Sequence, residues 1–222
     1  MLEKEVQKVL ASLKKMSTQR DRDNLARFGI TATNPLGVSM ANMQRLAKSV
    51  GRSHELAAAL WDTNCYEARM LTAFIDEPTR VTPTQMDRWC RDFDNWAICD
   101  TLCFKLWDQT PHAWSRVAKW NSHRDEFVKR AAYALIASLA LHDRKAPDEP
   151  FVESLAFIER AASDDRNFVK KGVSWALRSV GRRNPRLYAD ATEVATRLAA
   201  SKDAAPRWIG KDALRDFRKS AE

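Results

Sequence analysis

The chain has 222 residues, enough for one domain with a full hydrophobic core or for one continuous repeat array. Six glycines and eight prolines are few for this length and favour helix over a mixed or all-β fold. The net charge is +8, and nearly all of the excess lies in residues 111–222, with 22 Lys and Arg against 15 Asp and Glu. A basic half of this kind indicates a polyanionic partner such as nucleic acid, although a merely solubilising surface would have the same charge.

Helical periodicity continues along nearly the whole chain. It predicts thirteen helices, near residues 2–15, 21–29, 40–50, 53–61, 65–75, 83–92, 95–108, 111–120, 124–141, 149–162, 167–183, 186–200 and 206–219. Short polar connections such as Thr33-Asn34-Pro35 and Asn184-Pro185 separate them, and no strand-like alternation is sustained. The sequence therefore predicts an all-α fold.

An internal repeat organises the second half of the chain. Phe127-Val128-Lys129-Arg130 recurs 41 residues later as Phe168-Val169-Lys170-Lys171, and each copy opens a long helix. Corresponding inner helices would begin near 66, 95, 127, 168 and 207, a spacing typical of paired-helix solenoids with repeats of about 40 residues. We expect one repeat domain over 1–222, with the helices of 1–30 packed on the first repeat and a concave basic groove. The alternative is an irregular helical bundle.

The helix predicted over 95–108 carries the clearest candidate for chemistry. Asp100 follows Trp96 by four residues, so the two side chains share one helix face. Cys103 and Trp107 continue the same stripe. A carboxylate among indoles suits a site that meets a cation, because burying it unpaired is costly. The alternatives are a salt bridge to an arginine on a neighbouring helix and a first-turn carboxylate favoured by the helix dipole.

A second tryptophan, Trp175, lies among cations in the helix predicted over 167–183. Aromatic rings interleaved with positive charge suit contact with nucleotides, and a solvated helix face with one inward tryptophan is the alternative. The neighbouring cations are Lys170, Lys171, Arg178 and Arg182. Arg130 opens the corresponding helix of the preceding repeat, where it either bridges adjacent repeats or clamps a phosphate.

Several classes of site have no sequence signature in this chain. The histidines show no metal spacing, and no glycine-rich phosphate loop, GxSxG or HExxH motif is present. Cys65, Cys90, Cys99 and Cys103 lack the tight pairs of zinc or iron–sulfur sites, so we expect buried thiols. No signal-like segment and no apolar run of about 18 residues is seen, which favours a cytoplasmic protein, nucleoid-associated when bound to DNA.

Taken together, these residues resemble the AlkD-type DNA alkylation repair family, the HEAT-like repeat DNA glycosylases, from about Asn24 to Lys219. The landmarks are Leu25-Ala26-Arg27-Phe28, Pro35-Leu36-Gly37-Val38, Asn95-Trp96-Ala97-Ile98-Cys99-Asp100, Arg130-Ala131-Ala132, Val173-Ser174-Trp175-Ala176-Leu177-Arg178 and Asn184-Pro185. The resemblance implies a HEAT-like α-α superhelix whose catalytic aspartate and two tryptophans are Asp100, Trp96 and Trp175. It places a DNA-contacting arginine at Arg130 and an aromatic contact at Phe28.

The resemblance also implies an activity: excision of cationic N3- or N7-alkylated purines from duplex DNA, by a monomer, with no metal or organic cofactor. Asp100 would stabilise the oxocarbenium ion and orient water. Two positions depart from the family pattern. Phe28 replaces a tyrosine and so lacks a hydroxyl, and Ser138 replaces a lysine expected to contact the DNA backbone.

Two other functions compete with glycosylase activity. A non-catalytic protein that binds bent or branched DNA would keep the basic surface without needing Asp100, because a fold does not determine an activity. A helical-repeat module for protein interaction would show little salt-dependent DNA binding.

Overall fold

The computed structural model describes residues 1–221, and within them it is built from α-helices without strands. The helices are α1 Leu2–Lys15, α2 Gln19–Arg27, α3 Met40–Val50, α4 His54–Trp61, α5 Tyr66–Ile75, α6 Pro83–Arg91, α7 Trp96–Lys105, α8 Ala113–Trp120, α9 Glu126–His142, α10 Glu149–Ala161, α11 Asn167–Gly181, α12 Pro185–Ala199 and α13 Ala204–Ala221. A short 3₁₀ turn, Trp107–Gln109, follows α7. The predicted all-α fold is confirmed, and no described helix is long and apolar enough to cross a membrane.

Side-chain caps explain where several helices begin. Thr82 and Asn184 each accept a hydrogen bond from a backbone N–H of the first turn, and each is followed by a proline at the first helical position. A capping oxygen satisfies an N–H that has no partner within the helix, and proline has no N–H to satisfy there. The sequence pairs Thr82-Pro83 and Asn184-Pro185 therefore fix the starts of α6 and α12.

The chain divides into two compact units. The first spans Met1–Pro111 and contains α1 to α7. Its core is aromatic: Trp61 and Trp89 stack with ring centroids 4.3 Å apart, and Phe93 packs edge-on against Trp61 and also contacts Trp107. The N-terminal helix α1 packs against α4 and α5 through Val6, Val9 and Leu13.

A buried carboxylate organises the long loop between α2 and α3. Glu67 on α5 is fully buried and accepts hydrogen bonds from the backbone N–H groups of Leu36, Gly37 and Val38, at 2.8, 2.7 and 3.2 Å. Gly37 has a φ of +83°, and a Cβ there would lie 2.6 Å from the Thr18 carbonyl oxygen. The landmark Pro35-Leu36-Gly37-Val38 is thus a backbone segment that needs both its glycine and a buried acceptor.

The second unit begins at His112 and contains α8 to α13. Helix α9 packs on α11, and α11 packs on α13, as expected for the inner helices of stacked repeats. The rings of Phe127 and Phe168, equivalent residues of the sequence repeat, lie 5.3 Å apart between centroids. The outer helix α12 approaches α13 closely at Gly210, where a Cβ would lie 2.3 Å from the Ala199 backbone nitrogen.

The candidate nucleic-acid site

Helix α7 presents the predicted catalytic pair in the first unit. The Asn95 side-chain oxygen caps it by accepting hydrogen bonds from the Ala97 and Ile98 N–H groups, at 3.0 and 3.1 Å. Trp96 is the first helical residue, and Asp100 lies one turn further on the same face. Both side chains are partly exposed. An indole and a carboxylate therefore reach the surface together from the capped end of one helix.

The loop after α2 is tied to this end of α7. The Trp96 Nε1–H donates to the Phe28 carbonyl oxygen at 3.2 Å, which fixes the orientation of the indole. Asp94 accepts hydrogen bonds from the Thr33 N–H and hydroxyl, at 3.0 and 2.7 Å. The structure thus brings Phe28 and Trp96 together through the Phe28 backbone, while the Phe28 ring is 62% exposed. The hydroxyl that phenylalanine lacks plays no part in this anchor.

The predicted stripe along α7 does not continue as an exposed surface. Cys103 and Trp107 are fully buried, and the helix ends at Lys105 before Trp107 is reached. Leu106 leaves the helical conformation, with φ −135° and ψ −58°, so the 95–108 segment is a shorter helix followed by the 3₁₀ turn. Of the four members of the stripe, Trp96 and Asp100 are the two with partly exposed side chains.

In the second unit, α11 carries the other predicted tryptophan. Trp175 is partly exposed, and Lys171, one turn before it, is exposed. The ammonium group of Lys170 lies 5.2 Å from the ring centroid of Trp208 on α13. This part of α11 therefore offers positive charge next to aromatic rings, as the sequence suggests.

Arg178 near the end of α11 and Arg182 just after it form ion pairs with carboxylates of α13. Arg178 lies 3.5 Å from an Asp212 oxygen and 3.6 Å from an Asp216 oxygen, and Arg182 lies 2.5 Å from the same Asp216 oxygen. Asp212 also accepts a hydrogen bond from the buried Ser174 hydroxyl at 2.7 Å. The charge of both arginines is consequently partly neutralised within the unit.

Arg130 has a position that bears on its two predicted roles. Arg130 is buried, with only 6% of its surface exposed. Its Nη1 donates a hydrogen bond to the Phe168 carbonyl oxygen at 2.7 Å. Glu126 accepts from the Phe168 N–H at 3.1 Å, so both polar groups of one residue on α11 are bound by α9. The structure shows the bridge between adjacent repeats; a phosphate contact by Arg130 stays a prediction.

Ser138 lies on α9 with no exposed surface, and its hydroxyl is 3.4 Å from the His142 ring. A lysine can bring its ammonium group to the surface along its apolar stem, whereas a serine side chain is too short to do so. The correspondence of Ser138 to the DNA-contacting lysine of the family stays a prediction.

The structure adds residues that sequence reasoning missed. Asp94 anchors the Phe28 loop, and Asp212 and Asp216 pair with α11; because these partners lie 34 to 63 residues away, local patterns give no sign of them. Trp208 did leave a signal. Trp208-Ile209-Gly210-Lys211 comes 40 residues after Phe168 and repeats its order of aromatic, β-branched residue and, at the fourth position, cation.

One solved structure of similar fold supports the same architecture, and a second is less similar. A solved structure described as a new family of proteins related to the HEAT-like repeat DNA glycosylases, with affinity for branched DNA structures, is similar with a TM-score of 0.77 and 20% identity, over 94% of both chains. A designed armadillo repeat protein in complex with the peptide (KR)4 has a TM-score of 0.45 and 15% identity, over 97% of this chain and 92% of its own. No curated protein matches the chain in sequence.

The sequence profile of one protein family covers nearly the whole chain. This family is described as DNA alkylation repair enzyme, and its profile matches residues 9–217. The match spans both units, including Trp96, Asp100 and Trp175, and agrees with the all-helical repeat fold. The chain belongs to the DNA alkylation repair enzyme family.

Proposed function

We propose that this chain is a monomeric, cytoplasmic DNA glycosylase that excises cationic N3- and N7-alkylated purines from duplex DNA. The observation that carries the proposal is the capped start of α7. There a partly exposed carboxylate, Asp100, lies one turn from an indole whose orientation is fixed by its hydrogen bond to the Phe28 carbonyl. Family membership supports a role on alkylated DNA.

The reaction needs little from the protein beyond a positioned anion. Alkylation at N3 or N7 gives the purine a positive charge, so the base leaves without prior protonation. As the glycosidic bond breaks, positive charge develops on the sugar, and a preorganised carboxylate at Asp100 stabilises it. The same carboxylate accepts a proton from the attacking water. Hydrolysis by this route requires no metal or organic cofactor.

The aromatic residues would contact the DNA, and an indole can bind the cationic nucleotide through its ring face. An indole face attracts a cation by about 0.5–2 kcal/mol, which suits Trp96 beside the damaged nucleotide. The proposal assigns Trp175 an aromatic contact with DNA and assigns Lys170, Lys171, Arg178 and Arg182 to phosphates, with Phe28 as a further aromatic contact. Phosphate contacts position a protein on DNA without reading its sequence, which suits repair at any site.

Release of methylated base from duplex DNA containing N7-methylguanine tests the proposal. We expect Asp100→Asn to lower the single-turnover rate at least tenfold while affinity for the duplex changes less than about threefold, because the amide keeps the shape but loses the charge. Asp62→Asn is the matched control and should react at the parental rate. It removes an exposed carboxylate of the same unit, whose ion pair with Arg88 lies on the surface. Equal rates in Asp100→Asn and parent would refute the role of Asp100.

A second function is favoured by one observation. The similar structure with a TM-score of 0.77 represents proteins with affinity for branched DNA, so this chain could instead bind branched DNA without cleaving a glycosidic bond. The same assay separates the two. A parent protein that binds branched DNA in preference to duplex, and releases no base from alkylated DNA, would establish the non-catalytic function.

A further inference from the structure

Helix α13 carries an exposed indole near its start. Trp208 is 39% exposed, whereas Trp61, Trp89, Trp107 and Trp120 of the described chain are at most 2% exposed. Isolated exposed apolar residues are ordinary, but an indole is large, and an unused ring on a water-facing helix lowers solubility without stabilising the core. The surroundings of Trp208 therefore decide what the ring is for.

Those surroundings are cationic. The Lys170 ammonium lies 5.2 Å from the ring centroid, close enough for a cation–π interaction. Lys211 is exposed and lies one turn further along α13, on the side of Trp208. The nearest acid on that helix, Asp212, is occupied by Ser174 and Arg178 of α11. Two lysines therefore flank the ring, and the carboxylate one turn after it is already paired with α11.

The alignment of α11 with α13 shows which residues of the two helices face each other and where Trp208 lies in its repeat. Lys170 faces Trp208, Ser174 faces Asp212, and Arg178 faces Asp216, each pair 38 residues apart, so α11 and α13 lie side by side in parallel. Trp208 occupies the place in its repeat that Phe127 and Phe168 occupy in theirs, and those two rings pack together. The third aromatic is larger than the other two, and more than a third of its surface remains open to solvent.

We propose that Trp208, Lys170 and Lys211 form a binding position for an unpaired nucleotide of a DNA strand. The indole stacks on the base, and the two ammonium groups neutralise the flanking phosphates, the combination by which proteins hold single strands. An intact duplex stacks its bases on both faces, so an open base face is found only in a flap, a gap or a frayed end. This inference rests on the DNA-binding part of the proposed function and not on base release.

The test compares two undamaged probes by fluorescence anisotropy: a 20-mer of thymidylate and a blunt 20-base-pair duplex. We expect Trp208→Ala to weaken binding of the single strand about tenfold, which is the range for losing one stacked base, and to leave duplex binding within about twofold. Trp208→Phe keeps a flat ring and should retain most of the affinity. Tyr188→Ala, which removes an equally exposed aromatic ring on α12, is the matched control and should bind both probes as the parent does.

Three results would overturn the inference. The first is that the parent binds the single strand and Trp208→Ala binds it with equal affinity. The second is an equal loss on both probes, which would make the ring a general contact or a fold determinant; thermal melting separates these. The third is self-association of the parent, seen by sedimentation and lost in Trp208→Ala, which would assign the ring to a protein interface. A parent that binds neither probe would instead contradict the DNA-binding part of the proposed function.

Discussion

Two carboxylates of α13 hold the arginines that the sequence assigns to DNA. Asp216 lies within salt-bridge distance of both Arg178 and Arg182, and Asp212 pairs with Arg178. Phosphates must compete with these acids for the guanidinium groups. If DNA binds here, we expect a lower affinity than the number of cations suggests, because each arginine already has an anionic neighbour.

We predict that Asp216→Asn strengthens duplex binding about threefold at 50 mM salt, and that the difference disappears near 0.5 M salt, where exposed charges are screened. Asp190→Asn on α12 removes the same charge at another place and should have a smaller effect. Anisotropy titrations over a series of salt concentrations measure both. Unchanged or weaker binding by Asp216→Asn at low salt would show that Arg178 and Arg182 do not contact phosphate.

Single residues were predictable from the sequence where the signal is local. The spacing of Trp96 and Asp100 gives their shared face directly, and the structure leaves both partly exposed. The outcome for Arg130 was open, because a bridge to the Phe168 carbonyl depends on a residue 38 positions away. The burial of Ser138 could not be predicted for a similar reason: α9 is covered on nearly all sides, which no pattern within α9 reveals.

Among the structural elements, the loop between α2 and α3 depends most on backbone conformation. We predict that Gly37→Ala lowers the free energy of unfolding by about 2–4 kcal/mol, because φ is +83° and the new Cβ would meet the Thr18 carbonyl and the Arg22 backbone. Gly29→Ala is the matched control, since it also has a positive φ but meets nothing within 4 Å. It should cost about 1 kcal/mol. Equal losses in urea denaturation would contradict the role of the close contact.

The turn between α10 and α11 contains a carboxylate, Asp164, that pairs with two cations. Arg166 and then Lys129 lower the pKa of Asp164 below its usual 3.8 by donating hydrogen bonds to it. A lowered folded pKa means that the contribution to stability is complete above about pH 4 and is lost as pH falls through the folded pKa. Lys129 lies on α9, so this contact joins two repeats.

We therefore predict that Asp164→Asn lowers the free energy of unfolding at pH 7 by about 1–3 kcal/mol, the value of hydrogen bonds to a charged group with little exposure. The variant should also lose less stability than the parent between pH 4 and pH 2. Asp165→Asn, a substitution at the exposed neighbouring residue, should have the stability of the parent at pH 7 and the same loss of stability between pH 4 and pH 2. A parallel acid profile for Asp164→Asn and parent would contradict the pKa assignment.

Helix existence was predictable and helix ends were less so. Thirteen segments with apolar periodicity became thirteen helices, since each buries one face against its neighbours. The largest difference is at α7, which stops at Lys105 where the prediction runs to 108. Its continuation as a 3₁₀ turn places Trp107 in the aromatic core with Phe93, and that tertiary contact outweighs the local pattern.

At the scale of the whole molecule, the net charge of +8 predicts strong salt dependence of DNA binding. If Lys170, Lys171, Arg178 and Arg182 contact phosphates, the logarithm of affinity should fall with the logarithm of salt concentration with a slope of about −3 to −4. Lys171→Ala should reduce that slope by about one and weaken binding to all sequences alike. Lys145→Ala, at an exposed lysine between α9 and α10, is the control. A slope near zero would favour a module for protein interaction.

The repeat architecture was predictable because a recurring tetrapeptide carries it, and the contact between the tilted rings of Phe127 and Phe168 shows its physical basis. Two compact units, Met1–Pro111 and the chain from His112, were not expected from sequence. The expectation of a single repeat domain stays a prediction. The charge divides with the units: residues 112–222 hold nearly all of the excess, so the polyanion-binding role assigned to the second half belongs to one structural unit.

The four cysteines have a consequence for survival under chemical stress. All are reduced and buried, and burial raises the pKa of Cys65 and Cys103, so little of either is ionised at neutral pH. Electrophiles that methylate purines also attack sulfur, and they attack the thiolate. A repair protein meets these reagents whenever its substrate is being made. Because all four thiols are buried and those of Cys65 and Cys103 stay protonated, we expect the folded chain to resist inactivation by the compounds whose damage its family repairs.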